Sequence, residues 1–236
     1  MNSAYKNNVL RLLSPQSIER LHLHAMELPA DFVLQTPGEE IQHIYFIESG
    51  LGSMATLFND GHRVEAGIFG YESVISVSAF MGTRRPLNEI SMELAGYGYR
   101  STLKVAEKEY RLFDRFHELC LRYVQAQLMQ ATQTGACNAT HTVEQRMARC
   151  LLLCRDRIDS DIIHLTHETL ALTLGTRRTS VTLAAGVLQD LGLIDYSRGK
   201  IELLDPAGLE RAACECYLVL RQHLHKYHEV ETGFAV

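Results

Sequence analysis

One stretch, from Leu165 to Ile194, restricts the possible folds of this chain more than any other. It contains two short segments with apolar residues at helical spacing, and Gly175 separates them. A glycine at this point lets the chain reverse within ~3–4 residues, and Thr166 and Thr176 are placed to cap the two helices. The pattern predicts a helix-turn-helix with the buried positions Leu170, Ala171, Leu174, Val181, Ala184, Ala185 and Leu188.

The second predicted helix begins with cations and hydroxyl groups. Arginine can bind guanine through two hydrogen bonds or bind a phosphate, and hydroxyl groups can serve either purpose. Apolar residues then flank a turn at 197–200, which predicts a two-stranded wing with two cations at its tip. Between Thr176 and Lys200 there are four cations and two carboxylates, although the whole chain has a net charge of −5. The candidate DNA-binding residues are Thr166, Thr176, Arg177, Arg178, Thr179, Ser180, Thr182, Arg198 and Lys200.

The N-terminal half has a different pattern of apolar and turn-forming residues. A helix is predicted to begin at Ser14 and Pro15 and to continue to Leu28. From Asp31 to Leu103 short apolar runs alternate with glycines, and Asn59-Asp60-Gly61 is a good hairpin turn. Many short strands at this spacing predict an antiparallel roll, barrel or sandwich.

A long helix is predicted to follow the strands. Its apolar positions alternate spacings of four and three, the period of a coiled-coil seam, so we expect a second subunit to cover it. The alternative is a helix that packs only on its own domain. Gly135-Ala136-Cys137-Asn138 is expected to end this helix, before a further one over Val143–Ile158 with a capping box of Thr142 and Gln145. The predicted dimer interface is Leu112, Phe116, Leu119, Tyr123, Ala126 and Gln130.

These patterns predict an α+β chain with three parts: a sensor-like β-roll (1–106), a dimerisation helix (107–137), and a winged helix-turn-helix with a C-terminal helix (138–236). No apolar run is long enough to span a membrane and no secretory signal opens the chain, so a cytoplasmic location is expected. The six cysteines form no Cys-x-x-Cys pair and are expected to be buried thiols, with no metal or cofactor.

From about Leu12 to Leu204 the chain resembles the Crp/Fnr family of transcription regulators in the order of its parts. The resemblance is carried by Ile44-Tyr45-Phe46, Ala136-Cys137-Asn138, Glu144-Gln145-Arg146, 177–181 and Cys214-Glu215-Cys216-Tyr217. It implies a homodimer on a near-palindromic operator, with recognition helices ~34 Å apart, and contact with RNA polymerase. Thr179 and Leu183 replace a Glu and an Arg of the best-known members, so their operators are not expected here.

The resemblance also places a possible effector pocket at Glu72, Arg84, Arg85 and Tyr123. Cyclic-nucleotide binders of the family use a Gly-Glu pair and an Arg-Ser or Arg-Thr pair. Here Tyr71 interrupts the first pair, and Pro86 lacks a backbone N–H that a phosphate could use. A cyclic nucleotide is therefore not expected, and the effector is unknown or absent.

A metal-dependent enzyme with a cupin-like barrel is the main alternative, but it needs histidines and a carboxylate on facing strands. His22, His24 and Glu27 fall on the predicted first helix and point in different directions, while His43 and His62 lack a nearby histidine partner.

Two further alternatives are less favoured. In one, the helix-turn-helix mediates only protein contacts, and the cations at its second helix and wing argue against this. In the other, Cys137 senses oxidants at a hinge, and the sequence shows no activating cation beside it.

Overall fold

The computed structural model describes residues 4–59 and 63–228. Asp60 and Gly61 of the predicted hairpin turn, and the segment from Glu229 to the end, lie outside the described residues. The first part contains α1 (Asn8–Arg11), α2 (Pro15–Leu21), β1 (His24–Leu28), β2 (Val33–Gln35), β3 (His43–Ile47), β4 (Leu51–Leu57), β5 (Arg63–Phe69), a short 3-10 helix (Val77–Met81), β6 (Asn88–Leu94) and β7 (Gly96–Thr102). The second part contains α3 (Leu103–Tyr110), α4 (Arg115–Thr140), α5 (Val143–Ile158), β8 (Ile162–Ile163), α6 (His167–Thr173), α7 (Arg178–Asp190), β9 (Ile194–Ser197), β10 (Lys200–Leu203), α8 (Pro206–Ala212) and α9 (Cys216–His228).

Two antiparallel sheets form the N-terminal roll. One has the strand order β1-β7-β3 and the other β2-β6-β4-β5. Leu28, Ile47, Phe69 and Met92 are buried together in one apolar cluster. The antiparallel roll and the α+β class predicted from the glycine-punctuated runs are confirmed.

The first predicted helix is shorter than expected. Ser14 caps α2 by accepting a hydrogen bond from Ser17 N, and Pro15 occupies the first turn, as predicted. The helix ends at Leu21 because His22 adopts a left-handed conformation with φ 46°. His24 and Glu27 therefore lie on strand β1, not on a helix, and both side chains are exposed.

The long helix starts later and ends later than predicted. Phe113 has φ 58°, which separates α3 from α4, and Asp114 caps α4 by accepting a hydrogen bond from Phe116 N. Leu112 therefore lies between the two helices and is exposed. Gly135 does not break the helix, which continues to Thr140 and spans ~39 Å at 1.5 Å per residue.

The predicted dimer seam faces the chain's own roll. Phe116, Leu119, Tyr123 and Ala126 are all less than 5% exposed within the single chain, and the Phe116 ring lies 6.2 Å from that of Phe46. A heptad spacing identifies a covered stripe but not the partner that covers it, and here the β-roll does so. The same face continues at Gln130, whose amide donates to Ile68 O at 2.8 Å.

The C-terminal part is built around α5. Thr142 and Gln145 form the predicted capping box at its start. Strands β8, β10 and β9 make a small antiparallel sheet, and the tail forms two helices rather than the single predicted one. Among residues 4–59 and 63–228, no helix combines the length and apolar character needed to cross a membrane. The core of this part contains Leu151, Leu170, Leu174, Val181, Leu188, Ile194, Ile201 and Tyr217.

The two parts meet through buried polar contacts. Arg157 Nε on α5 lies 2.7 Å from Glu72 Oε1 of the roll, and both side chains are buried. On α6, Thr173 donates to Glu65 Oε2 of β5 at 2.8 Å. An ion pair and a hydrogen bond, both shielded from water, thus contribute to the attachment of the C-terminal part to the roll.

Candidate nucleic-acid interface

The turn between α6 and α7 has the geometry that the sequence predicts. Gly175 has φ +54°, its N–H donates to Leu172 O, and Thr176 N–H donates to Ala171 O. This pair of hydrogen bonds ends α6 in a Schellman motif, which favours glycine because a side chain is strained at positive φ. Thr166 caps α6 by accepting from Thr169 N at 3.1 Å, as predicted.

The start of α7 differs from the prediction. Thr176 does not cap this helix. Arg177 occupies the N-cap position, and its side chain makes no capping hydrogen bond. Among residues 4–59 and 63–228, no carboxylate or hydroxyl group caps the first-turn N–H groups of α7, a setting that suits a phosphate oxygen.

The buried and exposed faces of α7 are those that its amphipathic pattern predicts. Val181, Ala184, Ala185 and Leu188 are buried against the domain core. The residues predicted to bind DNA lie on the other side, where Ser180 is half-buried and the rest are exposed: Arg177, Arg178, Thr179 and Thr182.

Two of these side chains already have partners on α6. Arg178 Nε lies 2.8 Å from Glu168 Oε1, an exposed ion pair that water weakens. Thr182 Oγ1 lies 3.0 Å from His167 Nδ1, and the His167 ring stacks on Tyr196 of β9 at 4.1 Å. His167 thereby connects both helices to the wing, and the pKa of its imidazole is lowered by burial and by the Arg178 charge.

The wing is a tight hairpin between β9 and β10. Arg198 and Gly199 both have positive φ, 50° and 81°, as a type I′ turn requires. Lys200 pairs with Glu202 at 2.9 Å, whereas Arg177 and Arg198 form no ion pair within the described residues. The wing tip and the start of α7 thus present two unpaired guanidinium groups to the solvent.

Sequence reasoning missed one exposed residue of this face. Leu183 is 71% exposed on α7, next to Thr182 and one turn beyond Thr179. An apolar side chain there suits the methyl group of a thymine in the major groove. The sequence contains a signal that could have identified Leu183 as exposed. It falls outside the buried positions of the helix, on the face that carries the polar residues.

The comparisons with known proteins agree with this geometry. Residues 145–212 match the Crp-like helix-turn-helix domain. The Global nitrogen regulator of Synechocystis sp. is 22% identical over 187 residues, which cover 74% of this chain and 82% of that protein. Residues 145–212 therefore form a Crp-like helix-turn-helix domain, and the chain as a whole is similar to transcription regulators.

Two solved structures show the same fold. A transcriptional regulator of the Crp/Fnr family from Eubacterium rectale superposes with a TM-score of 0.68 at 18% identity, covering 86% of this chain and 96% of that one. FixK2 from Bradyrhizobium japonicum superposes with a TM-score of 0.71 at 15% identity, covering 82% and 98%. These relatives are transcription regulators and not enzymes, so the comparisons give the cupin-like enzyme alternative no support.

Only two of the four residues of the predicted Crp/Fnr effector pocket come together. Glu72 and Tyr123 line a cavity of about 20 Å³ between β5 and α4, enough for one or two water molecules. Burial raises the pKa of the Tyr123 hydroxyl well above its ordinary value, and the nearby Glu72 carboxylate adds to the effect. Glu72 is engaged on both oxygens, because Oε2 accepts from Gly70 N and Oε1 accepts from Arg157.

The two pocket arginines lie elsewhere. Arg84 Nη2 pairs with Glu107 of α3 at 2.9 Å, and Arg85 Nη1 donates to Gly38 O at 3.1 Å. Neither lines the cavity of Glu72 and Tyr123. A larger cavity, about 580 Å³, lies between the N-terminal segment, Tyr71 and the end of α5.

Proposed function

We propose that this Crp/Fnr regulator binds a near-palindromic operator as a homodimer and needs no cyclic nucleotide to do so. The observation that carries the proposal is the solvent-facing start of α7, where Arg177, Arg178 and Thr179 surround an uncapped helix end beside the cationic wing tip. Recognition helices of this class enter the major groove with their N-terminal residues, while flanking cations bind phosphates.

Each candidate residue has a role under this proposal. Arg178 and Thr182 read base edges, and Leu183 contacts a thymine methyl. Arg177, Thr179 and Ser180 bind base edges or phosphates at the helix start. Thr166, Thr176 and the wing residues Arg198 and Lys200 bind the backbone. Arg178 can leave Glu168 and bind DNA at a small cost in free energy, because an ion pair exposed to water contributes at most about 1 kcal/mol.

The dimer interface is proposed on a second heptad stripe of α4. Its residues alternate spacings of four and three on the exposed face, opposite the roll: Leu121, Gln125, Leu128, Thr132, Gly135 and Ala139. Leu128 is 64% exposed, and a Cβ added to Gly135 would meet no atom of the described residues within 4 Å. Glycine in a helix costs stability, so its presence suits the close approach of a partner helix.

The absence of a cyclic-nucleotide requirement is supported by the pocket geometry. Glu72 is engaged by Arg157, the space beside Tyr123 holds only about 20 Å³, and Arg84 and Arg85 line a different surface. Contact with RNA polymerase, a cytoplasmic location and the functional division at 1–106, 107–137 and 138–236 stay predictions of the family resemblance and the sequence pattern.

Selection of binding sites from random duplex DNA, without added ligand, tests the proposed recognition. We expect enrichment of a two-fold symmetric site, and Arg178→Ala should relax one position in each half-site and lower affinity by about 1–3 kcal/mol. Arg211→Ala is the matched control, because the Arg211 side chain is 74% exposed, close to the 66% of Arg178, but lies on α8. Failure to enrich a symmetric site, with or without cell extract, would contradict the proposal.

The dimer face is tested by sedimentation of the Leu128→Asp variant. A buried carboxylate in the seam should convert the dimer to monomer at micromolar concentration. Leu87→Asp, at a position 89% exposed on the roll, should leave the dimer intact. A Leu128→Asp protein that still sediments as the wild-type dimer would show that this face of α4 is not the interface.

A further inference from the structure

Four metal-binding side chains meet where the end of α4 contacts the turn between α8 and α9. Cys137 lies on the last turn of α4 and His141 at its C-cap, while Cys214 precedes α9 and Cys216 begins it. Their ligand atoms all lie within 4.8 Å of one another. The Sγ atoms of Cys137 and Cys214 are 3.5 Å apart, and Cys216 Sγ lies 3.7 Å from His141 Nδ1.

We propose that Cys137, His141, Cys214 and Cys216 bind one Zn²⁺ ion. Three thiolates and an imidazole are a common tetrahedral donor set of structural zinc sites. Ideal Zn–S and Zn–N bonds in a tetrahedron place two sulfurs ~3.8 Å apart and a sulfur and a nitrogen ~3.6 Å apart. The Cys137–Cys214 and Cys216–His141 separations differ from these values by a few tenths of an ångström. All ligand pairs lie within 4.8 Å, so side-chain shifts of about 1 Å or less complete the site.

The surroundings of the four ligands orient them for a metal. His141 Nε2 lies 3.3 Å from a Glu215 carboxylate oxygen, which holds the ring with Nδ1 towards Cys216. A carboxylate on the second ring nitrogen is the usual support of a zinc-bound histidine. Gln133 Nε2 donates to Cys216 Sγ at 3.0 Å, a contact that stabilises a thiolate.

Two buried arginines supply a matching charge. Zn²⁺ with three thiolates carries a net charge of −1, and such a group is costly to bury without a cation nearby. Arg146 and Arg149 are buried on α5, and neither has a carboxylate partner within the described residues. Arg146 Nε, Arg146 Nη2 and Arg149 Nε lack any hydrogen-bond partner there. These unpaired donors are explained if the adjacent cluster is anionic.

A disulfide between Cys137 and Cys214 would use only this pair, leaving Cys216, His141 and the arginines unexplained. This proposal revises the sequence expectation of no metal. The sequence does not indicate the site because the two ligand pairs, Cys-x-x-x-His and Cys-x-Cys, are far apart in the chain and form no common zinc motif.

The consequence of the site is structural. It connects the end of the proposed dimer helix to the start of α9, at the junction where α5 also begins. A metal that crosslinks such distant segments stabilises the folded chain, because the ligands are not gathered in the unfolded chain. We assign the C-terminal helix the role of completing this crosslink.

Metal analysis of the full chain, purified anaerobically with a reductant, tests the proposal. We expect one zinc ion per chain, and Co²⁺ in its place should give thiolate-to-cobalt charge-transfer and intense visible bands of tetrahedral ligation. Zinc should be lost in Cys214→Ala but retained in Cys120→Ala, a control at a cysteine of α4 that is buried against the roll.

The Co²⁺ spectrum of the wild-type chain needs no variant, so a misfolded Cys214→Ala protein would leave the test intact. Absence of bound zinc and of cobalt bands, an iron–sulfur cluster, or a Cys137–Cys214 disulfide in the isolated protein would each overturn the proposal. DNA takes no part in these measurements, so their failure would leave the proposed operator binding unaffected.

Discussion

The ion pair between Glu72 and Arg157 should dominate the attachment of the DNA-binding part to the roll. The Arg157 side chain is 3% exposed and that of Glu72 is 6% exposed, with Nε and Oε1 2.7 Å apart. Arg157 also donates to Leu153 O at 3.0 Å and to Gln130 Oε1 at 3.4 Å. Replacing Glu72 by glutamine keeps the shape and the acceptor but removes the charge that compensates the guanidinium.

The expected cost follows from the burial of both groups. An uncompensated buried charge destabilises a protein by about 3–5 kcal/mol when its partner is removed. For a chain of this size that loss lowers the Tm by roughly 6–20 °C. The double variant Glu72→Gln, Arg157→Met removes both charges and should lose much less than the sum of the two single variants.

Urea unfolding of the wild type, the two single variants and the double variant gives the coupling free energy directly. Asp161→Asn is the control, because the Arg155–Asp161 pair is 36% and 52% exposed and should contribute less than about 1 kcal/mol. A Glu72→Gln variant that loses no more stability than Asp161→Asn would refute the reasoning, since the low exposure would then not have excluded water from the pair.

Three further predictions concern single side chains. Leu183→Ala should weaken operator binding by about 1 kcal/mol and relax the preference for thymine at one position, as measured by competitive DNA binding with variant sites. In urea unfolding, Gly186→Ala should stabilise the chain by about 0.5–1 kcal/mol, because Gly186 has an ordinary helical φ and the added Cβ meets no described atom within 4 Å. Gly199→Ala should instead destabilise the chain by about 1–2 kcal/mol, because Gly199 has φ 81°. Burial raises the pKa of Glu65 well above its ordinary 4.5, so the folded state binds the extra proton and the unfolding free energy should fall as pH rises from 4.5 through the folded pKa. Glu65→Gln, which can still accept from Thr173, should remove that decline, and a variant with the wild-type slope would contradict it.

Local patterns predicted the DNA-binding part well. Gly175 and Gly199 both adopt the positive φ that their turns require, and the apolar stripe of the recognition helix is buried as its spacing indicates. These features depend on contacts within about 40 residues, where turn chemistry and periodicity are informative. Leu183 was missed as a binding residue because apolar side chains are ordinarily assigned to a core.

Long-range contacts could not be predicted in the same way. Phe116 and Tyr123 show the spacing of a dimer seam, but the surface that covers them is the roll, which is distant in sequence. From the sequence, Glu72 resembles a residue of an altered cyclic-nucleotide pocket. Its observed partner is Arg157 on α5, which is distant in the sequence. Cys137 and Cys214 are 77 positions apart, so their proximity appears only in the folded chain.

The fate of Glu72 links two properties of this regulator. In cyclic-nucleotide binders of the Crp/Fnr family, the counterpart of this carboxylate holds the ribose. Here the Glu72 carboxylate accepts a hydrogen bond from Arg157 of α5 instead. A ligand that used Glu72 would have to break a buried ion pair, at a cost of several kcal/mol that its own contacts would need to offset. The interaction that blocks this pocket is therefore the same one that anchors α5 to the roll. An effector that bound through Glu72 would therefore loosen the attachment of α5 to the roll, which is the physical reason why the proposed function uses no ligand at this carboxylate.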